Sequence, residues 1–165
     1  MNKSELRILL RVMDEAFDHK SWHGTNLYGS VRRLSLDEAT WRPHPDRHNI
    51  WEIMIHAAYW KYAVRRKLLN ERRGSFALKG SNWIKRPMEG ADWKADVALL
   101  ASTHRDLRKA IACHTPKQLD SMLQAGKLSA ISFLTGLAAH DLYHAGQIQL
   151  LKRLYANRAL TAKSL

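Results

Sequence analysis

Apolar residues recur at helical spacing along four stretches of this chain, and no stretch alternates β-branched with polar residues as a half-buried strand does. The first stretch places Leu6, Leu9, Leu10, Val12, Met13 and Phe17 on one face behind Ser4, a candidate N-cap, and predicts a helix that ends near Lys20. Ser21-Trp-His-Gly24 breaks it. A second helical piece is expected from about Thr25 to Leu34 with Leu27, Val31 and Leu34 inward, followed by a capping box at Ser35-Leu-Asp-Glu38. Trp41-Arg-Pro-His-Pro45 forces extended chain before each proline. The next long helix begins near Asn49, buries Ile50, Ile53, Met54, Ala57, Trp60, Val64 and Leu68, and fades at Asn70.

From Glu71 to Gly90 the periodicity is lost among glycines, a proline, mixed charge and the aromatics Phe76 and Trp83. A connection this long is uncommon in a compact domain unless it covers something, so it reads as a lid or pocket wall. A third long helix is expected from about Asp92 to Ala112, carrying Trp93, Val97, Leu100, His104, Leu107 and Ile111, with Pro116 closing its exit. Lys117 to Lys127 reads as a short turn and loop. The fourth helix, from Ser129 to about Tyr155, carries Ile131, Leu134, Leu137, Leu142, Ile148 and Leu151. The pattern predicts an all-α, four-helix bundle with a broken first helix and a long loop between its second and third helices, one domain over residues 1–165.

Composition narrows the setting. Lys and Arg number 27 against 15 Asp and Glu, a formal net charge of +12, which suits nucleic acid, an anionic ligand or an acidic surface. The basic residues fall on several elements, among them Arg65-Arg-Lys67, Arg72-Arg73 and Lys152-Arg153, with no zinc-finger or helix-turn-helix spacing, so a nucleic-acid-binding role is the weaker alternative. The lone Cys113 cannot form an internal disulfide, the N-terminus lacks a signal-peptide core, and no apolar run reaches the roughly 18 residues of a membrane span. A reducing cytoplasm is the expected location, and Cys113 is expected to serve packing rather than chemistry.

The chemistry lies in the histidines. His140 and His144, four apart in Gly136-Leu-Ala-Ala-His-Asp-Leu-Tyr-His, stand one helical turn above each other, flanked by the apolar Leu137 and Ile148. Two imidazoles do not make a site, and His56, centred in the apolar Ile53-Met-Ile-His-Ala-Ala, is the candidate third. The bland alternative is a set of ordinary core imidazoles, or a metal that only stabilises a scaffold. Three neutral nitrogens suit Zn²⁺, Ni²⁺ or Fe²⁺ and leave coordination positions open for water or substrate, whereas structural zinc is normally closed by four ligands. Glu52 and Asp141 are candidates to orient a ligand imidazole through its other nitrogen, with pairing to a surface arginine the equal alternative for Glu52. Tyr59, Trp60, Tyr143 and Gln147 lie within a turn of a ligand, and Asn82 and Trp83 can reach the site from the loop. Of the remaining histidines, expected mostly near helix ends or loops, His23 and His48 are the two with any claim on it.

Trp22-His-Gly, Trp41-Arg-Pro, Asn49-Ile-Trp-Glu-Ile-Met-Ile-His56 and His140-Asp-Leu-Tyr-His-Ala-Gly-Gln-Ile148 together resemble the DinB-like (DinB/YfiT) superfamily over nearly the whole chain. The resemblance implies a four-helix bundle, commonly a homodimer, that holds a divalent metal, usually zinc or nickel, through three histidines; position by position these fall on His56, His140 and His144. It implies a metal-dependent transferase or hydrolase acting on a small-molecule substrate. Relatives include isomerases and S-transferases in which the metal activates a low-molecular-weight thiol such as mycothiol or bacillithiol. The sulfoxide synthases of thiol-histidine biosynthesis carry a glutamate two residues past the second histidine of the HxxxH, where this chain has Gly146, which weakens an iron-dependent oxidative reading.

Overall fold

A computed structural model describes residues 2–72, 74, 76–86, 90–120 and 128–161, the side chains of 159–161 excepted. It contains α1 (Lys3–Phe17), α2 (Leu27–Val31), α3 (Leu36–Thr40), α4 (Ile50–Leu68), α5 (Trp93–Ala112), α6 (Pro116–Asp120) and α7 (Ala130–Thr161), with no strand among the described residues. The protein is all-helical, as the periodicity predicts. Four long helices, α1, α4, α5 and α7, carry the packing, with α4 against both α5 and α7, and α1 against α7. A bidentate pair from Arg108 to Asp14, at 2.7 and 2.8 Å, ties α5 to α1.

The ends of the elements follow the capping chemistry more closely than the apolar stripes. Asn2, not Ser4, caps α1, because its side chain accepts from the Ser4 and Glu5 amides while Glu5 returns a bond to the Asn2 amide. That helix stops at Phe17, short of Lys20. The piece expected over 25–34 shrinks to the five residues of α2, capped by Asn26, and Ser35 with Glu38 forms the expected box at α3. Pro116 opens a helix rather than only closing one: it stands at the first position of α6, where its missing N–H costs nothing, and Thr115 and Gln118 exchange capping bonds around it. The loop expected to run on to Lys127 lies outside the described residues beyond Asp120, as do Arg73 and residues 87–89 of the long connection. The last helix runs to Thr161, about 48 Å long at 1.5 Å per residue.

The apolar core divides into two clusters. One gathers Phe17, Leu27, Val31, Leu34, the first half of α4, Ile84, Leu100, Ile148 and Leu151; the other gathers Leu9, Met13, Val64, Leu68, Leu107, Ile111, Leu119, Leu134 and Leu137. Between the two clusters each long helix carries buried polar residues: Asp14 on α1, Lys61 on α4, Thr103 and His104 on α5, Asp141 and His144 on α7. A polar layer therefore crosses the molecule at mid-height, and the histidines lie in it.

Candidate metal centre

His56 projects from the middle of α4 and His140 and His144 from the middle of α7, the two helices that pack face to face. Their Nε2 atoms converge: His140 Nε2 stands 3.0 Å from both His56 Nε2 and His144 Nε2. His56 is 6 % and His144 3 % exposed, with His140 partly buried between them. The outer nitrogens fix which atoms carry protons. His56 Nδ1 faces the Asn82 carbonyl oxygen at 3.3 Å, and His144 Nδ1 faces Gln147 Oε1 at 2.6 Å. Both partners accept, so both Nδ1 atoms carry the hydrogen and both Nε2 atoms present bare lone pairs. A hydrogen on His140 Nε2 could satisfy only one of them, and His140 Nδ1 is buried without a hydrogen-bond partner. With the proton on Nδ1, three lone pairs meet at one point.

Electrostatics keeps the set neutral. Burial, then the neighbouring His144, pushes His56 down to about 4. Burial, followed by His144, His56 and Lys61, pushes His140 to about 3, and burial also lowers His144. Neutral imidazoles with aimed lone pairs are what a divalent ion requires. An ion about 2.05 Å from each nitrogen in tetrahedral array sets the nitrogens about 3.3 Å apart, close to the spacing here. The donor set fits.

The long connection closes over this point, as its length predicts. Asn82 adopts φ +58, a left-handed conformation that asparagine tolerates, and aims its carbonyl at His56 while its side-chain oxygen accepts from Trp60 Nε1 at 3.0 Å. Ile84, two residues on, anchors the turn in the core and packs against Gly80, whose φ of +114 and 3.3 Å clearance leave little room for a Cβ. Trp83 stacks on His56 at 3.9 Å between ring centroids and on His48 at 3.7 Å.

The other expected residues divide. Gln147 holds His144 and donates its amide to the Tyr143 hydroxyl at 3.1 Å, and the exposed Tyr143 ring flanks His144. Tyr59 packs on Phe76 of the connection rather than on the triad. Neither carboxylate orients a ligand imidazole, and Glu52 takes the arginine alternative. Glu52 takes a bidentate pair from Arg42, at 2.6 and 2.9 Å, and faces His48 Nδ1 at 3.0 Å; burial pushes its carboxyl up, but Arg42 and His48 together hold it below the usual range. Asp141, turned about 100° from His140 around α7, meets the fully buried Lys61 of α4 instead of a ligand imidazole. Adjacent helical positions lie about 100° apart around the axis, so a residue beside a ligand in sequence faces elsewhere.

The surroundings of three residues were not legible. Lys61 reads as a surface lysine and is 0 % exposed. His104 lies in the middle of α5, not near a helix end, with both ring nitrogens buried and unpartnered. His48 pairs with Glu52; their separation of four residues was the available signal, obscured because His48 precedes the Asn49 cap. His23 is exposed on the loop after α1. Cys113, expected to pack, is exposed at the end of α5.

Two spaces reach the triad. A cleft of about 520 Å³ opens at His144 between residues 43–48, Trp83 and α7, and a smaller one of about 290 Å³ opens at His140 beside Trp60, Phe133 and Leu137. Fold and site define an all-helical protein whose two central helices bring three neutral imidazoles to a point reachable from outside. The DinB superfamily profile matches residues 21–148, more than three quarters of the chain with all three histidines included, and the chain belongs to that superfamily. No curated protein and no solved structure gives a significant match.

Proposed function

We propose that the chain, folded as one domain, is a metal-dependent enzyme in which His56, His140 and His144 hold a divalent ion, zinc or nickel, and a thiol or water is activated there for transfer or hydrolysis of a small-molecule substrate. The convergence of three neutral Nε2 atoms carries this reading. A divalent ion on three uncharged ligands keeps its full charge and supplies a nucleophile at neutral pH by lowering the pKa of a coordinated thiol or of water, the latter from about 15.7 to near 7.

The chain's own groups supply the rest. The Asn82 carbonyl and Gln147 Oε1 hold the protons of His56 and His144 on Nδ1, leaving Nε2 free. Trp83 of the connection stacks on His56 and Trp60 of α4 stands edge-on to it, so two indoles hold the ring in place. His48 Nδ1 is tied to a charged Glu52, so its Nε2 is the atom able to accept a proton in the cleft. A reducing intracellular setting suits the exposed Cys113, which has no partner cysteine.

Changing His56, His140 or His144 singly to Ala should leave each purified variant nearly free of metal, because two imidazoles cannot hold a divalent ion as three do. Elemental analysis of protein dialysed against metal-free buffer reads this directly, and full occupancy in any one variant removes that residue from the ligand set. The family resemblance further supports a homodimer, for which the exposed Ile8 and Val12 of α1 provide apolar surface. Sedimentation at micromolar concentration should give about twice the 19.0 kDa chain mass, and a monomer mass would end that reading.

A further inference from the structure

The cleft in front of His144 combines two features that a solvated surface does not. Of ten exposed large hydrophobic residues among the described ones, four line it: Trp83, Tyr143, Leu150 and Leu154. With Ile53 and Leu151 they make an apolar wall beside the triad, and its volume of about 520 Å³ is that of a small-molecule site, which commonly spans about 300–1,000 Å³. No aspartate or glutamate lines the cleft, while Arg47, His44 and His48 stand at its rim. The nearby acids are committed, Glu52 to Arg42 and His48 and Asp46 to His44 at 3.5 Å. Among the described residues Arg47 makes no ion pair and no side-chain hydrogen bond, so a guanidinium faces the cleft with its donors free.

We infer that this cleft binds an organic anion with a hydrocarbon body, its carboxylate or equivalent acid group on Arg47 and its apolar part along Leu150, Leu151 and Leu154 toward His144. Calling that anion the substrate rests on the metal-dependent reading above; the binding itself does not. A planar, permanently charged fork suits an oxyanion in two-point contact, and the leucines account for selectivity toward an acid with a hydrocarbon portion over a bare inorganic anion.

Titration calorimetry on the full chain as purified, with 4-phenylbutyrate and the neutral 4-phenylbutanamide as probes, tests the inference. The carboxylate is expected to bind about tenfold or more tightly than the amide, the worth of hydrogen bonds to a charged group. Arg47→Gln should erase that preference while leaving the melting temperature and metal content unchanged, and Leu150→Gln should weaken both probes together. Equal affinity for the two probes overturns the inference, as does absence of saturable carboxylate binding. Survival of the preference in Arg47→Gln also overturns it, by placing the anion on the ion or elsewhere. Metal content is measured on the same samples: protein that holds no metal yet discriminates through Arg47 keeps this inference and loses the metal reading, whereas metal-loaded protein without discrimination does the reverse.

Discussion

His104 shows how one buried side chain can set a pH limit on the fold. Its ring stacks on Phe17 at 3.8 Å between centroids, and Asp14 Oδ1 approaches to 3.8 Å, too far for a hydrogen bond. Burial, followed by the positive charges of Lys61 and Arg108, pushes it down to about 2. In the unfolded chain the same imidazole takes a proton near 6.5. Between those values the unfolded state binds a proton that the folded state refuses, so this contribution to stability is complete above about pH 6.5 and is lost as pH falls toward 2. The slope is about 1.4 kcal/mol per pH unit for one such group. Denaturant midpoints of the parent should fall between pH 6.5 and 4.5 more steeply than those of His104→Leu, while metal content at pH 7 stays the same in both. Parallel pH profiles would show that His104 is protonated in the folded protein.

Between α4 and α7 the decisive contact is Lys61 with Asp141. Lys61 follows His56 by five residues and Asp141 follows His140 by one, so the pair locks the relative position of the two helices that carry the triad. Burial raises the Asp141 carboxyl and Lys61 pulls it only part of the way back, so the charge removed from water is answered by its partner in part. Removing one partner strands the other: Lys61→Met or Asp141→Asn should each cost about 3–5 kcal/mol by chemical denaturation. The double variant Lys61→Met/Asp141→Leu should recover most of that loss, because neither charge remains to be desolvated. Additive losses would mean that the pair is not coupled.

The same pair marks where the sequence stops being informative. His140 and His144 were legible because ligands on one face of a helix need a spacing of four, and His56 because an imidazole inside an apolar run needs a partner. The long helices were legible for the same reason of period, and the covering role of the long connection from its length. Lys61 was not, since a lysine among tyrosines and arginines reads as solvated. Nor was the partner of Asp141, which depends on how α7 is rotated; for Glu52 the sequence left a ligand imidazole and an arginine as equal alternatives, and the structure has the arginine. The way Asn82 meets His56 depends on that residue's left-handed conformation, and propensity alone does not say where in the connection the carbonyl will be aimed.

Across the whole molecule, two apolar clusters are separated by a layer that contains the triad, the Lys61–Asp141 pair and His104. Such a layer gains little from the hydrophobic effect. Without an ion, a proton on His140 Nε2 answers one of the two lone pairs 3.0 Å from it and leaves the other unanswered. A metal held there belongs only to the folded state, because the ligands come from helices 84 residues apart in sequence. It should therefore stabilise the fold by linkage, about 2.7 kcal/mol when free metal stands at 100 times its dissociation constant. A chelator should lower the melting temperature of the parent to that of His140→Ala in the same buffer, and add little to His140→Ala itself. Restoring zinc or nickel should recover the parent alone. Should the chelator lower both proteins equally, the ion that matters is bound elsewhere, and the triad is a cluster of core imidazoles.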